Sequence, residues 1–267
     1  MSELAKRAIT GVIYVLLTLG AAWAGPVTTT LLFLPVCLLA VAELLRLAHP
    51  EGHSGPDGFL QITGAAVYLA FALPVVVPRI TPMFAVAVLF SVIMLAVVKL
   101  LLEGGEAALR RTGTALLVYF LVAIPFGLGP SLLRDGPGLF IGFMVMLWTN
   151  DTGAYLVGRV LGRTKLLPQV SPNKTVEGLI GGIGLAMAGG WLLARAWPVL
   201  SPGQWIGCAV VVAVTSTLGD LLESAFKRNA GVKDSGTLLP GHGGILDRFD
   251  GFLLAMPAMV IAVNLMR

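Results

Sequence analysis

Three polar clusters in the second half of the chain carry residue types suited to holding phosphate groups and a hard divalent cation. The first is Asn150-Asp151-Thr-Gly-Ala-Tyr155, which runs into Gly158-Arg159 and Gly162-Arg-Thr-Lys165 and continues as Ser171-Pro-Asn-Lys-Thr-Val-Glu-Gly178. Asp151 can bind a metal or position a base, while Ser171, Asn173, Lys174 and Thr175 are donors of the kind that hold phosphate oxygens. A helix opening near Thr175 or Gly178 adds unpaired backbone N–H groups, a further anion site. The plain alternative is an interfacial loop with a Ser or Asn cap.

The second cluster is Gly219-Asp-Leu-Leu-Glu-Ser-Ala-Phe-Lys-Arg228. Asp220 and Glu223 at i, i+3 share a helix face, as do Asp220 and Ser224 at i, i+4. Two carboxylates on one face can hold a divalent ion through oxygen ligands. Lys227 and Arg228, one turn later, read either as phosphate ligands or as stop-transfer charges snorkelling at a membrane edge. The third cluster is Lys233-Asp-Ser-Gly236 followed by Leu239-Pro-Gly-His-Gly-Gly-Ile-Leu-Asp-Arg-Phe-Asp250. Gly241, Gly243 and Gly244 flank His242 with backbone able to fold closely around a ligand. Asp247 and Asp250 stand at i, i+3 where a helix opens, near its positive end. Bringing Asp220, Asp247 and Asp250 together would make a strongly negative pocket that Mg²⁺ could neutralise, with Lys227, Arg228, Lys233 and Arg248 supplying the opposite sign for phosphates.

These clusters must be positioned by membrane helices. Of 267 residues, 57% are hydrophobic and 12% charged, against roughly 45–50% and about 25% in soluble domains. The apolar residues gather in runs of about 20, the length a helix needs to cross a bilayer. Nine such spans are expected, at 8–24, 27–48, 59–77, 82–102, 114–133, 138–157, 178–197, 204–226 and 249–266, giving an all-α polytopic fold with polar loops after helices six and eight. Pro35, Pro74, Pro125 and Pro257 fall within runs, where neighbouring helices absorb the kink. The spacing of Gly178 and Gly182 lets another helix approach closely. No long linker or repeat interrupts residues 1–267, read as a single membrane domain with N-terminal helices over 1–137 and a catalytic half over 138–267.

The first run follows Lys6 and Arg7, but Gly20-Ala-Ala-Trp-Ala-Gly25 is only a fair cleavage site, so a retained first helix is expected. With nine spans, fourteen Lys and Arg fall on the N-terminal side and four opposite, which puts the N-terminus in the cytoplasm. Removing the eight in the functional loops leaves six against four. A net charge of +4 raises nucleic acid as a partner, but the basic residues lie in loops between spans, where anionic lipid and nucleotide phosphate fit better. Cys37 and Cys208 lack the spacing and His partners of a metal site. His49 and His53 sit in a Pro- and Gly-rich stretch and read as solvated loop residues.

Ser224 to Asp250, SAFKRNAGVKDSGTLLPGHGGILDRFD, resembles the signature of the phosphatidate cytidylyltransferases: Ser, two residues, Lys-Arg, four residues, Lys-Asp, then Pro-x-His-Gly-Gly and Asp-Arg-x-Asp. Asp151, Ala154-Tyr155, Gly158 and Ser171-Pro-Asn-Lys-Thr-Val-Glu-Gly178 also look like that family. The resemblance is strong over roughly 150–250 and rests on hydropathy before that. It implies a Mg²⁺-dependent reaction in which the phosphate of phosphatidic acid attacks the α-phosphorus of CTP and pyrophosphate leaves. Asp220, Asp247 and Asp250 would then be metal-associated. Lys227, Arg228, Lys233 and Arg248 would bind substrate phosphates, helped by Ser171, Asn173, Lys174, Thr175 and Ser224, and His242 would donate to a phosphate or order the glycine loop. The active-site loops would face the cytoplasm, where CTP is, and a homodimer is expected from the resemblance. Two rivals stand beside it. An ion transporter would need interrupted helices in both halves, and a CTP-dependent lipid kinase would release CDP. A CDP-alcohol phosphotransferase would need an Arg after Asp250-Gly251 that Phe-Leu-Leu-Ala does not supply.

Overall fold

The computed structural model describes residues 3–48, 58–236 and 243–267, with side chains from residue 9 onward. His49, His53 and His242 lie outside the described residues. The described residues form ten α-helices: α1 (Glu3–Ala24), α2 (Pro26–Ala48), α3 (Gly58–Val76), α4 (Pro82–Glu103), α5 (Gly105–Leu117), α6 (Ile124–Leu128), α7 (Gly138–Leu161), α8 (Val176–Ala196), α9 (Pro202–Asn229) and α10 (Leu246–Met266). A buried π-helical turn, Val118–Ala123, joins α5 to α6, and a 3₁₀ turn extends the segment to Leu133. Pro35, Pro74 and Pro257 lie inside α2, α3 and α10.

Among the described residues, seven helical segments are long and apolar enough to cross a membrane, and Ile9–Ala24 is a shorter apolar helix. Helix α7 coincides with the sixth expected span but carries Asn150 and Asp151 in its interior, which lowers its hydropathy. Many large apolar side chains face outward: Leu102 is 82% exposed and Leu265 82%. A water-facing surface of that kind would be unstable, whereas a hydrocarbon solvent accepts it. The chain is thus an all-α polytopic membrane protein.

The helices form two compact units, Met1–Ser131 with Asp234–Arg248, and Leu132–Lys233 with Phe249–Arg267. In the first, Phe33 meets Phe126 edge-on at 5.6 Å. The Tyr68 hydroxyl donates to the Thr30 carbonyl at 2.7 Å, and the Tyr119 hydroxyl donates to Thr63 Oγ1 at 2.9 Å. Each buried phenol is therefore satisfied, as a dry interior requires.

In the second unit, α7 and α8 touch through glycines. A Cβ at Gly153 would come within 2.8 Å of the Gly181 carbonyl oxygen, and one at Gly182 within 2.8 Å of the Asn150 carbonyl oxygen. The close approach expected at the Gly178 and Gly182 spacing is thus made within the chain, by α7. Helix α9 opens with a capping box in which Ser201 and Gln204 satisfy each other's backbone N–H groups. Between α7 and α8 an antiparallel hairpin pairs β1 (Lys165–Leu167) with β2 (Ser171–Thr175). The polar loop expected after the sixth span thus contains a short hairpin.

Candidate active site

A cavity of about 500 Å³ opens in the second unit between the polar end of α7, the hairpin and α9. Its walls include Asn150, Asp151, Tyr155 and Arg159 from α7, Asn173 and Lys174 from β2, and Asp220 from α9. Lys174 Nζ pairs with Asp220 Oδ2. The Ser224 hydroxyl donates to Asp220 Oδ1 at 3.3 Å, the i, i+4 partnership read from the sequence. Both members of the ion pair keep solvent access, 24% and 36% of the side chain, so water screens the pair and a substrate or cation can displace either side.

Local structure explains how these groups are held. Thr175 caps α8 by accepting from Gly178 N at 3.1 Å, and it is 6% exposed. Its hydroxyl therefore serves the helix end and anchors Lys174 next to it. Glu177 accepts from the backbone N–H of Arg163 at 3.0 Å and of Thr164 at 3.1 Å, sewing the α7 exit to the start of α8. Asn150 Nδ2 donates to Ser216 Oγ at 3.0 Å, pinning α7 to α9, and among the described residues its buried Oδ1 finds no hydrogen-bond donor. At Gly219 a Cβ would overlap the Asp250 carbonyl oxygen. That contact brings α10 against α9 at the residue before Asp220, and Asp250 lies within electrostatic reach of Asp220, Glu223 and Asp151.

The other expected residues are distributed around this frame. Lys227 Nζ pairs with Glu223 at 2.5 Å, with only 12% and 3% of the side chains exposed, so Lys227 is committed to a buried partner on its own helix. Arg228 is exposed and donates to the Val232 carbonyl at 3.2 Å. Lys233 and Arg248 are exposed, Asn173 is exposed and Ser171 is half-buried.

Asp247 belongs to the first unit, while Asp220 and Asp250 belong to the second. Its Oδ2 accepts from Ser235 N at 2.9 Å and Gly244 N at 2.7 Å, and Ser235 Oγ, whose single proton it shares with Glu43, lies 3.0 Å away. Behind it lies Glu43 of α2, 3% exposed, which accepts from Ser235 Oγ and from two backbone N–H groups at the start of α10. Glu43 and Ser216 were absent from the expected site, and Asn150 and Glu177 stood in its first cluster without these contacts being foreseen. A carboxylate inside the apolar run of α2 was itself a signal, because ionised groups are costly there.

Among the described residues no three His, Cys, Asp or Glu side chains converge into a cage for a metal. Mg²⁺ does not need one: it binds through one or two carboxylates and takes its remaining oxygens from water and substrate phosphates. Asp220, already paired to a cation, and Asp250 beside it have the donor chemistry for that role.

Fold and cavity together define a multi-pass membrane protein with a charged pocket walled by α7, the hairpin and α9. The Cytidylyltransferase family profile matches residues 5–266. The phosphatidate cytidylyltransferase of Bacillus subtilis (strain 168) is 34% identical, with 99% of each chain covered. Those of Staphylococcus haemolyticus and Staphylococcus aureus are 32% and 33% identical over 96% of this chain and 97% of theirs. The chain belongs to the phosphatidate cytidylyltransferase family, as the signature over Ser224–Asp250 implied, and is a nucleotidyltransferase of phospholipid synthesis.

Proposed function

We propose that the protein transfers CMP from CTP to phosphatidic acid, giving CDP-diacylglycerol and pyrophosphate with Mg²⁺ as cofactor. The observation that carries this reading is the cavity in which the Lys174–Asp220 pair faces Asp151, Asn173 and Arg159, inside a chain of this family. A phosphate monoester is already anionic near neutral pH, so the attacking oxygen needs no strong base. Positioning and charge neutralisation carry the catalysis. Lys174 and Arg159 bind phosphate oxygens, Asn173 donates to them, and Ser224 orients Asp220. Arg228, Lys233 and Arg248 draw the two anionic substrates towards the protein surface. Bound Mg²⁺, held by Asp220 and Asp250, would neutralise charge on the phosphates; for Asp247 a metal role rests on the signature alone.

CTP is cytosolic, so the N-terminus and the loops after α7 and α9 face the cytoplasm in this reading, while the diacyl chains stay in the bilayer. A homodimer is proposed on the resemblance alone, since the small-residue face of α8 is used against α7. Purified protein in detergent, given CTP labelled at the α-phosphorus, phosphatidic acid and Mg²⁺, should place label in lipid and release equimolar pyrophosphate. Release of CDP with a phosphorylated lipid would replace this reading with a lipid kinase.

A further inference from the structure

We infer that Glu43 is a positioning residue for the signature segment, holding Ser235 and the opening of α10 so that Asp247 is presented in a fixed orientation. The inference rests on the proposed cytidylyl transfer for its kinetic consequence, but its geometry stands by itself. Burying a carboxylate is costly unless hydrogen bonds replace its water. Glu43 replaces it with donors drawn from one segment about two hundred positions further on. Oε1 accepts from Ile245 N at 2.9 Å, and Oε2 accepts from Leu246 N and Ser235 Oγ, both at 2.8 Å. Two of these are backbone amides at the opening of α10, which lack partners within the helix and favour an anion.

The signature's glycines follow from the same carboxylate. A Cβ at Gly236 would lie 2.6 Å from Glu43 Oε1, and one at Gly244 would overlap Glu43 Oε2 and Ser235 Oγ. Ser235 links the two acids, since its hydroxyl is 2.8 Å from Glu43 Oε2 and 3.0 Å from Asp247 Oδ2. Glu43 thus acts on Asp247 through Ser235 and the α10 backbone.

The test is Glu43→Gln in the full-length protein, which keeps the side chain's size but leaves one acceptor oxygen. Two readouts apply: steady-state kinetics, and amide exchange of the segment from Ser235 to Asp247. The expected result is a kcat lower by roughly 10–100-fold, the scale of partners standing behind a functional ligand, with KM for CTP little changed and faster exchange at Ile245 and Leu246. A kcat within a factor of two of wild type overturns the inference, whatever the exchange shows. If Glu43→Gln does not fold, Ser235→Ala removes one hydroxyl only, and unchanged kcat there is equally decisive against it. Wild-type protein that forms no CDP-diacylglycerol would sink the proposed function, while unchanged exchange in Glu43→Gln would still sink the clamp.

Discussion

Asp220 and Glu43 are both carboxylates in apolar helices, yet their surroundings assign them opposite work. Glu43 is 3% exposed and held by three fixed donors from one segment. Asp220 keeps about a third of its side chain open and is balanced by Lys174, a flexible cation, and by one hydroxyl. A carboxylate buried among fixed donors is closed to solvent and ligand and organises backbone. A half-open one can exchange its partner, which is what a phosphate or Mg²⁺ site requires.

Asp220→Asn is the largest perturbation: losing the charge that holds a cation should cost several kcal/mol of transition-state stabilisation, about a 1000-fold fall in kcat/KM, with thermal unfolding little altered. A variant of Asp220 that lost stability and kept its rate would erase the contrast with Glu43. Lys174→Ala should lower kcat/KM by about 100-fold, the worth of one preorganised charge, read from initial rates at subsaturating CTP.

On the buried side, Gly244→Ala forces a methyl into Glu43 Oε2 and should destabilise the protein by about 1–3 kcal/mol, the range for overpacking, seen as a lower unfolding midpoint. Thr175→Ala should cost about 1 kcal/mol through loss of the α8 cap, with a small loss of rate because Lys174 is then less firmly held. If Thr175→Ala instead abolished CTP turnover in a folded protein, the hydroxyl would belong to substrate binding as first expected from the sequence.

The legible parts of the site were local ones. Ser224 reaching Asp220 follows from helical spacing, and the polar interior of α7 announced Asn150 and Asp151. The Lys174–Asp220 pair joins residues 46 positions apart, and Glu43 reaches Ser235 across 192; no periodicity encodes such contacts. Ser171-Pro-Asn-Lys-Thr175 reads as part of a polar loop because Pro and Asn disfavour strands, but a short edge hairpin tolerates both. The long apolar helices were plain from run length alone, because the bilayer thickness sets it.

The central claim is that substrate occupies the α7–hairpin–α9 cavity, and cysteine protection tests it most directly. Tyr155 is 62% exposed and lines that cavity, whereas the native Cys37 and Cys208 are buried. In Tyr155→Cys, maleimide labelling should slow markedly when CTP and Mg²⁺ or phosphatidic acid are added at saturation, and the slowing should vanish in the Asp220→Asn, Lys174→Ala background. Labelling at one unchanged rate under all these conditions, in protein that still turns over substrate, would contradict the assignment of this cavity as the active site.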